Sequence, residues 1–206
     1  MCVLSLRIAN YFYCMNKFQI ITAFLFSLVL IGCNNGESST EVPGPEKQFY
    51  PISSYIESQL KYLDSVPLAI IHYTTINNAT DTGITEKKDF RTSVGKAFIE
   101  SDISGADQKK NYEETSFIDA TLGVITLSYA PKRDGLPIQK AYVLLSQENS
   151  AVKTIYVERT MQGGDSTVTK KMLWNANKSC QVTSIIQKTN QPEKTIQERF
   201  VWDELY

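Results

Sequence analysis

Hydrophobic residues in this chain change their spacing along its length, and each change predicts a different kind of segment. Phe18 to Ile31 is an almost unbroken apolar run, interrupted by Gln19, Thr22 and Ser27, and Asn34 to Gln48 is polar, rich in Asn, Gly, Ser, Pro and acids. Ile56, Leu60 and Leu63 then recur at helical spacing. That stripe predicts a helix capped by Ser53 or Ser54 and ended before Pro67, because a residue preceding proline avoids the helical region. Leu68 to Ile76 is rich in β-formers and is followed by turn chemistry at Asn77-Asn78. A second helix is predicted with Thr85 as its cap, Glu86 and Asp89 in its first turn, and Phe90, Val94, Ala97 and Phe98 on one face. Ser101 to Asn111 reads as polar loop.

Beyond that loop the period falls to two. Strand-like runs near 113–119, 123–130, 138–146, 152–161, 166–174, 179–188 and 195–202 are separated by short turn clusters, among them Pro131 to Gly135, Gly163-Gly164-Asp165 and Asn175 to Lys178. Connections this short make neighbouring strands antiparallel, since a parallel pair needs a crossover of roughly a dozen residues. Alternation is plain in Ile125, Leu127, Tyr129, in Cys180, Val182, Ile186 and in Ile196, Phe200, Trp202. One face of the sheet therefore requires cover, most simply from the two helices. The expected class is α+β: two N-terminal helices packed on a curved antiparallel β-meander of six to eight strands, all within 49–206.

The N-terminal pattern changes this picture. The apolar run from Phe18 to Ile31 is 14 residues long, shorter than the roughly 20 a membrane-spanning helix needs. With Asn16-Lys17 before it and Gly32 after it, it reads as a signal peptide covering 1–32, with Met15 the expected start of translation. The run closes on Leu30-Ile31-Gly32-Cys33, which resembles the lipobox of bacterial lipoproteins. That resemblance implies lipidation of Cys33, cleavage before it, and attachment to a membrane by acyl chains. Residues 33–48 would then be the lipidated cysteine and a flexible tether, too poor in apolar surface to order itself. Asn34 is not the Asp that retains enterobacterial lipoproteins at the inner membrane, so the resemblance implies the outer membrane, with the periplasmic or surface side left open. Together with Phe49-Tyr50-Pro51-Ile52 and Phe200-Val201-Trp202-Asp203, the lipobox resembles small lipoproteins of Bacteroidota-type bacteria, a group that supplies no site residues. A helix-backed curved sheet also looks like the half-barrel of periplasmic lipoprotein carriers, a likeness of fold alone.

Removing 1–32 deletes Arg7 and Lys17 and no acids, which moves the net charge from −1 to −3. A faintly acidic chain without a basic run argues against nucleic acid as a partner. Cys2 and Cys14 go too, leaving Cys33 for lipid and Cys180 alone in the domain, so no internal disulfide framework is expected. His72 is the only histidine, which excludes His-pair metal sites and HExxH helices. No GxSxG elbow and no phosphate-binding glycine loop is present. Catalytic residues, metal ligands and cofactors are therefore none by motif. Cys180, in phase with Val182 and Ile186, reads as a buried thiol, and His72, in mid-strand, as a hydrogen-bonded structural histidine. The acids Asp102, Asp107, Glu113 and Glu114 straddle Lys109-Lys110 and read as a solvated edge. The aromatics Tyr129, Tyr142, Tyr156, Trp174, Phe200 and Trp202 are the candidate ligand groove, set against the simpler reading of core under the helices. Two functional readings result: a non-enzymatic envelope protein that binds a protein partner or apolar ligand on its sheet, or a hydrolase-like enzyme using carboxylates and tyrosines without a motif.

Overall fold

The computed structural model describes residues 48–203. The expected signal peptide, the expected start at Met15, Cys33 and the expected tether up to residue 47 lie outside the described residues. What is described is predominantly one open antiparallel sheet of nine strands with few helices.

Helix α1 (Ile52–Ser65) buries Ile52, Ile56, Leu60 and Leu63, one stripe at helical period. It starts one residue before the predicted serine cap. Pro51 occupies the cap position and has no side-chain acceptor to offer, and Ser53 falls inside the first turn. The open backbone donor is satisfied from elsewhere: the Ser53 N–H donates to Asp102 Oδ2 at 2.9 Å. At the far end Val66 is extended, as the following proline requires. Strand β1 (Ile70–Ile76) turns through Asn77 and Asn78, both at positive φ, directly into β2 (Ala79–Thr85), the geometry of a two-residue hairpin turn.

Strand β2 corrects the sequence reading. Thr85 ends a strand and does not cap a helix; Glu86 holds the cap position. Because β2 is an edge strand exposed along all but its last residue, it has no buried face and leaves no alternation to read. The second helical segment runs from α2 (Lys87–Phe90) through a π-helical stretch (Arg91–Gly95) into α3 (Lys96–Ile99). It buries Phe90, Val94 and Phe98. Gly95 permits its contact with α1: a Cβ there would lie 2.9 Å from Leu60 Cδ1. The loop that follows contains a one-turn helix, α4 (Ala106–Lys109), where polar loop alone was expected.

Strands β3 (Tyr112–Asp119), β4 (Val124–Pro131), β5 (Ile138–Ser146), β6 (Val152–Gly163), β7 (Ser166–Asn175), β8 (Ser179–Lys188) and β9 (Lys194–Val201) follow as an uninterrupted meander. The full order, β2-β1-β9-β8-β7-β6-β5-β4-β3, departs from a simple meander because the first hairpin pairs with the last strand, giving nine strands where six to eight were expected. Reading across the register, Leu127, Val143, Ile155, Trp174, Cys180, Phe200 and His72 form one cross-strand row on the helix-facing side. Trp174, fully buried, sits in this row with ring centroids 5.3 Å from Phe98, 5.3 Å from Trp202 and 5.9 Å from Phe90. Helix and sheet residues thus share one hydrophobic cluster.

Candidate functional site

Side chains on a strand point alternately to opposite faces, and this divides the six candidate aromatics. Tyr129, Trp174, Phe200 and Trp202 are buried on the helix-facing side. Tyr129 packs its ring 4.9 Å from Phe49, and its hydroxyl accepts the Tyr50 N–H at 3.0 Å. Burial, aided by the nearby Glu114 carboxylate, raises its ionisation well above the ordinary tyrosine range, and the Tyr50 bond only partly opposes this. Tyr142 and Tyr156 lie on the opposite face, directly paired between β5 and β6, with rings stacked 5.8 Å apart at 25°. The Tyr156 hydroxyl donates to Glu158 Oε2 at 3.1 Å. Partial burial, then that bond and the carboxylate's charge, push its pKa up to about 12. The six therefore do not converge on one groove.

The open face carries its own cross-strand row: Ser128, Tyr142, Tyr156, Leu173, Gln181, Arg199 and Tyr73. The Arg199 guanidinium lies over the Tyr73 ring at 5.8 Å. A parallel row runs from Phe117 through Thr126, Leu144, Thr154, Asn175, Ser179 and Val201 to Ile71 and Ile84. Its ends are exposed, with Phe117 at 65% and Ile84 at 78%. Between those ends the row is less open, with Ser179 at 9% and Val201 at 3%.

The covered face holds a second feature, which the sequence reading placed in the structural background. His72 stacks on Phe200 at 4.1 Å and 13°, with Nε2 3.1 Å from Thr74 Oγ1 and 3.4 Å from Glu198 Oε1. Beside this group a cleft of about 280 Å³ opens between sheet and helix. Ser93 and Val94 of the π-helical stretch and Ala97 of α3 form one wall; Val182, Phe200 and Lys170 belong to the sheet wall. Period two would have put His72 beside Thr74 and Glu198 beside Phe200, but only the distant β1–β9 pairing joins the two sets.

Two side chains with nucleophilic atoms lie on this side of the sheet. Ser93, the nearest hydroxyl on the helix, donates to the Asp89 carbonyl at 2.6 Å within its own helix. Cys180 is fully buried; burial first, and the Glu198 charge second, push its thiol well above the ordinary range, which disfavours the reactive thiolate. Among the described residues no group of three or more His, Cys, Asp and Glu side chains is placed to hold a metal ion. Asp102 serves α1: burial works against its charge, but bonds from Ser53 and Ser104 outweigh it and hold the carboxyl below its usual range. Glu113 and Glu114 lie on edge strand β3, and Asp107 in the one-turn helix α4 that precedes it.

No protein-family model matches this chain, and comparison with curated proteins and with solved structures gave no match either.

Proposed function

We propose that this chain is a lipid-anchored protein of the bacterial cell envelope, held on the outer membrane through an acylated Cys33, and that it binds a protein partner on the open face of its sheet. In this reading 1–32 is a cleaved signal peptide and 33–48 a tether. The domain is α+β, with two helical segments backing a curved sheet and leaving the other face for recognition. Two or more acyl chains give stable anchorage where a single chain is marginal. No described helix is long and apolar enough to cross a membrane.

The observation that supports binding is the row of Tyr142, Tyr156, Leu173, Arg199 and Tyr73 on the face opposite the described helices. Tyrosine and arginine are enriched where protein interfaces concentrate their energy, because each offers a large contact area with a polar end. The row lies across a sheet face and not inside a cavity, which favours a protein surface over a small apolar ligand. Anchoring is tested by Cys33→Ser, which is expected to move the protein from the membrane to the soluble fraction; retention after a carbonate wash would remove the lipoprotein reading. Binding is tested separately in intact cells with a photo-crosslinking residue in place of Leu173. A discrete adduct that disappears in Tyr156→Asp, and does not form when the crosslinker replaces Lys61 on α1, supports the face as the docking surface. The absence of any adduct from several open-face positions would refute it.

A further inference from the structure

We propose that the cleft between the π-helical stretch and the sheet is a binding site for a small organic carboxylate, its anionic end held by Lys170 and its apolar body resting on Phe200, Val182 and Val94. The site lies on the opposite side of the sheet from the proposed docking face and does not depend on how the protein is anchored.

Charge is the first observation. Lys170 projects from β7 on the helix-facing side, half-buried, and its side chain makes no hydrogen bond or ion pair among the described residues. In register it stands directly opposite Arg159, and like charges placed opposite each other on one face of a sheet repel. Arg159 reaches Glu100 at 3.5 Å, yet Glu100 is also approached by Lys96 at 3.7 Å, and Arg159 Nε is buried without a partner. Lys96, Arg159 and Lys170 thus face two carboxylates, Glu100 and Glu198, and Glu198 is already turned to His72. Lys170 therefore brings to the cleft a cation that no described side chain engages, and an anionic ligand finds its counter-charge there.

Shape is the second. The cleft of about 280 Å³ has a mixed lining, with Val94, Ala97, Val182 and Phe200 as its apolar part and Thr85 and Ser93 carrying hydroxyls. Its helix wall comes from Arg91–Gly95, where the backbone follows a π-helical path. Such turns are rare inside helices and recur at functional sites because they displace side chains from their regular positions. Here the displaced residues are Ser93 and Val94, both lining the cleft. The His72 ring is held by its stack on Phe200 and, at Nε2, by Thr74 and Glu198, so this part of the lining is set before a ligand arrives.

Benzoate and its neutral isostere benzamide probe the claim. Titrated into the purified full-length chain and followed by ligand-observed NMR, benzoate is expected to bind and benzamide to bind about tenfold or more weakly, the scale of one charge-assisted hydrogen bond. Lys170→Met keeps the stem and removes the charge, and should weaken benzoate by about the same factor. Lys171→Met, on the other face of the same strand, should leave binding unchanged. Should Lys170→Met fail to fold, Ala97→Leu decides the matter by filling the cleft from the helix side, where loss of benzoate binding with an unchanged melting temperature supports the site. Undetectable benzoate binding, equal binding of benzamide, or full binding in the folded Lys170→Met variant would each overturn the proposal.

Discussion

Leu173 and Trp174 are neighbours on β7 and face opposite worlds. Trp174 points at the helices, is completely buried, and touches three other aromatic rings. Leu173 points the other way, half-buried, between Tyr156 and Gln181 on the face opposite the described helices. The same backbone hydrogen bonds hold both. The difference shows how a single sheet separates two tasks: the covered face supplies stability through apolar area removed from water, and the open face keeps large side chains available for something else.

The sharpest way to break this comparison is to truncate each side chain in turn. Trp174→Ala leaves a cavity at the centre of the cluster and is expected to cost about 3–5 kcal/mol, a large share of a domain's typical stability of about 5–15 kcal/mol. Leu173→Ala removes a side chain that still meets water and should cost about 1 kcal/mol or less. Urea denaturation measures both. Equal costs would mean that the open face is covered in solution, and the division of tasks would fall.

A second effect, smaller and confined to the covered side, tests how α1 is held over the sheet. Asp102 accepts hydrogen bonds from the Ser53 N–H at 2.9 Å and the Ser104 N–H at 2.7 Å, acting as a cap supplied from a distant loop. Asp102→Ala should therefore cost about 0.5–2 kcal/mol at neutral pH, as loss of a helix cap does. The pH dependence has a definite sign. Since the folded state holds this carboxyl below its ordinary value, its contribution is complete above the unfolded pKa of about 4 and is lost as pH falls through the lower folded value. The stability gap between parent and Asp102→Ala should thus narrow in acid, below about pH 4. A gap that stays constant down to the acid transition would show that the carboxylate's charge is not what caps the helix.

Much of this arrangement was legible in the sequence where the signal was local. The stripe Ile56, Leu60, Leu63 and the alternations on β4, β8 and β9 follow directly from side-chain geometry, and the turn at Asn77-Asn78 from the tolerance of asparagine for positive φ. Alternation also places Tyr142 between Ala141 and Val143, and Tyr156 between Ile155 and Val157; these neighbours are core residues, so both tyrosines had to face away from Trp174. Treating the aromatics as one group hid that distinction. Two features were not legible for a different reason. Strand β2 buries almost nothing and so leaves no hydrophobic period, and the pairing of β1 with β9 joins segments more than a hundred residues apart, such as His72 and Phe200. No local pattern reports such a contact. The cleft, which needs His72, Glu198 and the π-helical stretch together, was hidden with it.

The smallest predicted effect belongs to the open face and shows itself only in alkali. Tyr156 is half-buried, and its hydroxyl donates to Glu158, so ionisation would place two negative charges side by side; its pKa is raised to about 12. An unfolded tyrosine ionises near about 10. A group whose folded pKa is raised contributes stability that is complete below the unfolded pKa and is lost as pH climbs through the folded one. Tyr156→Phe removes both the bond and the titration. At neutral pH, on a face still reached by water, the change should remain within about 0.5 kcal/mol of the parent. Between about pH 10 and 12 the parent should lose stability more steeply than Tyr156→Phe, although Tyr55 and Tyr129 are raised in both proteins. Urea midpoints of the two proteins measured side by side across that window test this, because the shared tyrosines cancel in the difference. Parallel curves would show that Tyr156 ionises as freely folded as unfolded, and the stacked pair with Tyr142 would then be as open to water as the exposed ends of its sheet.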